Sequence, residues 1–120
     1  MRKATIRIRK DTDDALREMG EQFVKAWTTG KSRGDVLEFE SPAALFRVLT
    51  PKRWELVERL QFLGPTSVRG LARELERDVK RVHEDVGRLI ERGIVERDDE
   101  GKIRVPYDVI HAEFDLHSVA

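Results

Sequence analysis

The run TSVRGLARELERDVKRVHEDVGRLIERGIVERDDEGKIRV, residues 66–105, constrains the fold more than any other part of the chain. Its apolar residues recur at helical spacing twice, with a short polar break between. Ser67 suits the N-cap of a first helix, about Val68 to Leu75, whose Leu71, Ala72 and Leu75 share one face. Asp78 suits the cap of a second, about Val79 to Arg92, with Val79, Val82, Val86, Leu89 and Ile90 as its inward stripe. Gly93 follows as a natural C-terminal stop. Ile94 to Arg97 and Lys102 to Val105 then read as a hairpin around Asp98-Asp99-Glu100-Gly101, closed by Pro106.

The rest of the chain mixes strands and helices. Ala4 to Lys10 alternates as a strand, and Asp11-Thr12-Asp13 offers caps for a helix to Trp27 with Leu16, Met19 or Gly20, Phe23 and Trp27 on one stripe. Val36 to Glu40 alternates again. Ser41-Pro42 and Thr50-Pro51 are paired cap-and-proline starts. They predict helices over Ala43–Leu49 and from Pro51 to about Leu63, the latter with Trp54, Val57, Leu60 and Leu63 inward. Val109 to Leu116 is the last strand, with Ile110, Ala112, Phe114 and Leu116 on one face. The three outlying strands suit one sheet covered by the Leu16–Trp27 helix. They equally suit a sheet or helix shared with a partner subunit.

Helix, polar turn, helix and hairpin in that order make a winged helix-turn-helix, whose second helix can enter the DNA major groove. Such a helix needs an apolar stripe for the core and donors on its outer side. Lys80, Arg81, Glu84, Asp85 and Arg88 lie off the apolar stripe, and Arg77 precedes them in the turn. Arginine and lysine can donate to guanine edges or to phosphate. Ser67 and Arg69 open the preceding helix, where free amides and the helix dipole favour phosphate. The candidate DNA contacts are therefore Ser67, Arg69, Arg77, Lys80, Arg81, Glu84 and Arg88. The competing reading pairs these charges along the helix, Lys80 with Glu84 and Arg81 with Asp85, at four-residue spacing.

Composition narrows the class. The chain has 120 residues, 39% hydrophobic and 38% charged, enough for one core under a charged surface. It has no cysteine, which excludes disulfides, thiol catalysis and cysteine-bound zinc. No secretory signal and no apolar run long enough to span a bilayer is seen, so a cytoplasmic location is expected. Net charge is zero, against the basic balance typical of DNA binders. The distribution is uneven: residues 51–92 hold ten basic and eight acidic residues, and 93–120 hold three and seven. That acidic end suits a basic protein partner or simply a solvated surface.

No constellation supports catalysis, a cofactor or a metal. Thr29-Gly30-Lys31-Ser32 imitates the end of a phosphate-binding loop, but Lys25 stands where the motif's first glycine belongs. His111, Glu113, Asp115 and His117 alternate on one strand face, where neighbours two apart can share an ion but four in a row span too far to converge on one. They read as the polar side of a half-buried strand. His83 lies beside an apolar stripe and reads as packed or partly exposed. Trp27 and Trp54 read as core residues.

The spacing of Ser67, Leu71-Ala72, Leu75, Val79, Val82, Val86, Leu89 and Gly93-Ile94-Val95 resembles the MarR- and ArsR-like winged helix-turn-helix regulators of bacteria and archaea. The wider run LEFESPAALFRVLTPKRWELVERL, then SVRGLARELERDVKRVHEDVGRLIERGIVE, then VPYDVIHAEFDL, is similar to a family of small prokaryotic antitoxin-like DNA-binding proteins. The resemblance covers roughly residues 36–116. It implies a homodimeric repressor that binds double-stranded DNA, regulates its own transcription and restrains a toxin encoded beside it. The acidic tip Asp98-Asp99-Glu100 departs from a phosphate-touching wing, although Arg97, Lys102 and Arg104 flank it.

The expectation is an α+β protein with a winged helix-turn-helix over residues 50–106. An N-terminal strand-helix-strand-helix segment over 1–49 serves packing or dimerisation, and a C-terminal strand and tail cover 107–120. The expected function is sequence-specific transcriptional regulation, not enzymatic. The alternative is an antitoxin module whose acidic C-terminal end neutralises a partner toxin.

Overall fold

Among the described residues, four helices begin where the sequence supplies a cap. The computed structural model describes residues 2–9 and 35–116. Helix α1 is Pro42–Val48, with Ser41 Oγ accepting from the Ala44 N–H at 3.0 Å. Helix α2 is Pro51–Leu63, where Thr50 Oγ1 accepts from the Arg53 N–H at 3.4 Å. Proline at the first position of both costs nothing, because its missing N–H would have had no helical partner. Helix α3, Val68–Leu75, is capped by Ser67 Oγ on the Gly70 N–H at 3.0 Å. Helix α4, Val79–Glu91, is capped by the Asp78 carboxylate on the Arg81 N–H at 3.2 Å.

Two helix ends use the same hydrogen-bond pattern with different residues. After α4, Gly93 has φ +78, its N–H reaches Ile90 O, and the Ile94 N–H reaches Leu89 O, both at 3.0 Å. After α3, Glu76 takes the left-handed position at φ +54, with Arg77 N–H on Ala72 O at 3.0 Å. A side chain there is strained, and glycine is not.

All three outlying strands join one sheet. Strand β1, Lys3–Ile8, lies in the middle, with β2, Asp35–Phe39, on one side and β5, Val109–Glu113, on the other. Both pairings are parallel, Ile6 standing beside Leu37 and Ala112. Arg2 fixes the near end: its N–H donates to Asp108 at 2.8 Å, and its Nε to Asp35 at 3.0 Å. Strands β3, Glu96–Arg97, and β4, Ile103–Arg104, form an antiparallel hairpin after α4. The link between α2 and α3 pairs with that hairpin: Thr66 N–H reaches Ile103 O at 3.1 Å, and Ile103 N–H reaches Thr66 O at 2.8 Å.

One apolar cluster joins these layers. Ile6 and Phe39 of the sheet meet Leu45 and Leu49, then Leu56 and Leu60 of α2, Leu71 of α3, and Val82, Val86 and Leu89 of α4. Each fully buried leucine contributes roughly 2 kcal/mol of transfer free energy. The chain is thus a small α+β domain in which strands from both chain ends share a sheet.

Several expected positions shift. Leu56 is fully buried and Trp54 and Leu63 only partly, so the inward stripe of α2 is rotated toward Leu56. Val79 is 40% exposed, because it is the first residue of α4, before the helix meets the core. The last strand stops at Glu113, so Phe114 and Leu116 are exposed rather than on a buried face. The hairpin strands are shorter than expected, since Ile94 and Val95 turn into the core instead of pairing. The expected Asp13–Trp27 helix and its loop lie outside the described residues, as does His117.

Candidate nucleic-acid interface

The turn Glu76-Arg77-Asp78 joins α3 to α4, and its arginine points inward. Arg77 Nη2 donates to Asp85 Oδ2 at 2.7 Å. The other oxygen of Asp85 accepts from Arg53 Nε at 3.0 Å. Arg53 stands in the first turn of α2, and its Nη1 also donates to the carbonyls of Arg47 and Val48 at 3.2 and 2.9 Å. One carboxylate therefore ties α1, α2, the turn and α4 together. Burial pushes the Asp85 carboxyl up, but the two guanidinium hydrogen bonds outweigh it and hold it below the ordinary carboxylate range. The three side chains are 15–19% exposed.

This geometry corrects two sequence expectations. Asp85 pairs with Arg53 and Arg77, not with Arg81. Arg77 is taken up by Asp85, so it positions the turn rather than standing among the outward donors. Its remaining Nη1 is buried without a hydrogen-bond partner among the described residues. Arg53 went unnoticed in the sequence because its partner is 32 residues away, beyond any local periodicity.

Beside this network opens a cleft of about 570 Å³ that Lys52, Arg81 and Glu84 also line. Lys80, Arg81 and Glu84 are exposed, and no ion pair or side-chain hydrogen bond engages them among the described residues. The four-residue pair Lys80 with Glu84 does not form. Arg88 meets Glu91 at 3.6 Å with both side chains 66% exposed, a contact that solvent weakens. On α3, Arg69 is exposed and unpaired among the described residues, and Ser67 is used as the cap. Gly70 permits a close approach there: a Cβ would stand 2.8 Å from Thr66 Oγ1.

At the hairpin tip Asp98 serves the turn. One of its oxygens accepts from the Glu100 and Lys102 N–H groups, each at 2.9 Å. Arg104 pairs with Glu96 across the hairpin. Arg97 and Lys102 are exposed and without a side-chain partner among the described residues. His83 is exposed on α4. His111 lies 3.2 Å from Glu113 on β5, and no group of three metal-ligating side chains gathers among the described residues.

The HVO_A0114 family model matches residues 48–112, more than half of the chain. The chain belongs to the HVO_A0114 family. In this HVO_A0114 member the matched stretch runs from the last residue of α1 through the three following helices and the hairpin into β5. The Arg53–Asp85–Arg77 network lies wholly within it. Neither the curated proteins nor the solved structures contain a match to the chain. Among the described residues, no helix is long and apolar enough to cross a membrane.

Proposed function

We propose that this chain is a sequence-specific DNA-binding transcriptional regulator of the winged helix-turn-helix kind, acting as an autoregulating repressor. Helix α4 enters the major groove, α3 crosses the backbone, and the β3–β4 hairpin is the wing. Support for the fold comes from the order α2, α3, turn, α4, hairpin and from the Thr66–Ile103 bridge, which adds the α2–α3 link to the wing as a short third strand. The resemblance to MarR- and ArsR-like regulators points the same way.

The observation that carries the functional reading is the set of unpaired cations. Lys80 and Arg81 on α4 and Arg69 on α3 are exposed and unengaged among the described residues, while Arg53 and Arg77 close by are consumed internally. Exposed unpaired cations on adjoining helices suit phosphate and base contact. A helix of 13 residues is roughly 20 Å long, enough to lie along one stretch of major groove. A two-fold dimer joins two modest half-sites, so their binding free energies add, and it implies a palindromic operator.

Fluorescence anisotropy tests this with duplex from the protein's own upstream region against scrambled duplex, at several salt concentrations. Tight, sequence-dependent binding with a clear salt slope supports the reading. Weak, sequence-blind binding at physiological salt sinks it. The antitoxin reading needs an acidic end free to cover a toxin. No specific observation favours that reading here, and Asp108 is already held by Arg2.

A further inference from the structure

Among the described residues the sheet ends in β2 on one side and β5 on the other, and the two edges differ. At the β2 edge Arg92 lies over the Phe39 ring at 4.4 Å, and its Nη2 donates to Glu38 O at 3.4 Å. That arginine blunts the edge. At the other edge β5 contains no proline or lysine, and among the described residues no strand pairs with its outer side. An open strand edge is a template for pairing. Arg2 O accepts from the Asp108 N–H at 2.8 Å and more weakly from the Val109 N–H at 3.4 Å. Backbone direction alternates along a strand, so Ile110 and Ala112 share the parity of Asp108 and face β1. His111 and Glu113 then turn their amides outward.

We propose that this edge is a homodimer seam, with two copies of β5 pairing antiparallel about a two-fold axis at Ala112. The three-stranded sheet becomes one sheet of six strands running through both protomers. The side chains select this register. With Ala112 on the axis, His111 of each copy stands opposite Glu113 of the other, an acid against an imidazole. On the other face Ile110 meets Phe114, once the strand extends past Glu113. Centring on His111 instead sets imidazole against imidazole. Centring on Glu113 opposes two carboxylates. Two carboxylates directly opposite destabilise a sheet, whereas an imidazole facing a carboxylate can share a hydrogen bond and an aliphatic side chain facing an aromatic one packs well.

The surroundings fit a self-complementary seam. Phe114 and Phe46 of α1 stack edge to face with centroids 6.1 Å apart, yet remain 41% and 52% exposed. Val109 is 39% exposed on the same strand. Two-fold pairing brings both Phe46–Phe114 pairs to the seam, as an isologous interface requires. The seam supplies the dimer used in the DNA reading, but it rests on the strand edge alone.

The chain has no cysteine, so Ala112→Cys introduces a single thiol. Opposed residues in a narrow antiparallel pair approach to about 4.5 Å between Cα atoms, within disulfide reach. Sedimentation of the unmodified full chain at tens of micromolar is expected to show a dimer. Mild oxidation should then cross-link Ala112→Cys to a dimer, with His111→Cys and an exposed Glu55→Cys control cross-linking far less. Ala112→Lys, which sets two cations on the axis at an exposed position, should weaken dimerisation at least roughly tenfold with unchanged circular dichroism. A monomer throughout overturns the seam. So does a dimer in which Ala112→Cys cross-links no better than Glu55→Cys, or in which His111→Cys cross-links best. Duplex binding measured on the same samples separates the two readings: an intact cross-link without sequence-dependent binding upholds the seam and sinks the regulator.

Discussion

Helix α4 carries two kinds of charge close together. Asp85 holds Arg53 and Arg77 in a network only 15–19% exposed, while Lys80 and Arg81 reach solvent with no partner among the described residues. Residue type does not separate them, since each contains arginine. What separates them is whether another element brings a counter-charge. The first turn of α2 carries Arg53 to Asp85, and the α3–α4 turn carries Arg77 there. Nothing among the described residues reaches Lys80 or Arg81. The first group fixes how α4 sits; the second reaches solvent.

The largest effect that tests this contrast is Asp85→Ala. It leaves two mostly buried guanidiniums without their shared carboxylate, Arg53 keeping only the Arg47 and Val48 carbonyls. Fully buried pairs broken on one side cost several kcal/mol and exposed pairs almost nothing. With exposures of 15–19%, a loss of about 2 kcal/mol is expected in urea unfolding at neutral pH. Arg53→Ala should cost less, because Arg77 still holds Asp85. An unchanged midpoint in Asp85→Ala would reduce the network to an ordinary surface pair and erase the contrast.

Next comes the outer group. Lys80→Ala and Arg81→Ala should each leave stability within about 0.5 kcal/mol. Each should weaken operator binding by about tenfold and lower the salt slope by about one. Anisotropy titrations at a series of salt concentrations read both quantities. Asp85→Ala read the same way separates positioning from contact, since it should lower affinity without reducing the slope by a full unit. Equal slopes for all three variants would show that Lys80 and Arg81 do not touch phosphate.

The helices were legible because their determinants are local. Ser41, Thr50, Ser67 and Asp78 all cap as their sequence positions suggest, and Gly93 ends α4. The stripe Val82, Val86 and Leu89 is buried as its spacing requires. The ion network was not legible, because Arg53 and Asp85 meet only after α2 packs on α4. The choice between one sheet and a shared one was also closed to sequence, since alternation fixes a strand's faces and not its neighbours. For the outward donors, sequence narrowed the set to one flank but could not tell that Arg77 is spent internally. Burial of the Arg77 side chain is a tertiary fact.

Acid sharpens the contrast in another way. Asp85 titrates below its ordinary range in the folded chain, so its contribution is present above the unfolded carboxylate value and is lost as pH falls through the lower folded value. Urea midpoints of the unmodified chain should therefore fall more steeply below about pH 4 than those of Asp85→Asn. The gap between the two, largest at neutral pH, should narrow toward pH 3 or so. A gap independent of pH would mean that the charge of Asp85 contributes nothing.

The smallest effect concerns the turn that carries Arg77 to Asp85. Glu76 sits at φ +54, where Gly93 at the end of α4 sits at φ +78. Both close the same hydrogen-bond pattern, but only Gly93 does so without strain. Gly93→Ala should cost about 1 kcal/mol, since a Cβ there meets only Leu37, at 3.8 Å, and the penalty is backbone strain alone. Glu76→Gly should do the opposite and stabilise by about 0.5 kcal/mol, because relief of left-handed strain exceeds the added freedom of the unfolded chain. The Glu76 side chain is exposed and makes no hydrogen bond or ion pair among the described residues. If the strained turn is what keeps Arg77 aimed at Asp85, Glu76→Gly combined with Asp85→Ala should gain more than the sum of the single changes, since a relaxed turn no longer forces an unpaired guanidinium inward. Additive values in that double-mutant cycle would show that the turn and the network are independent.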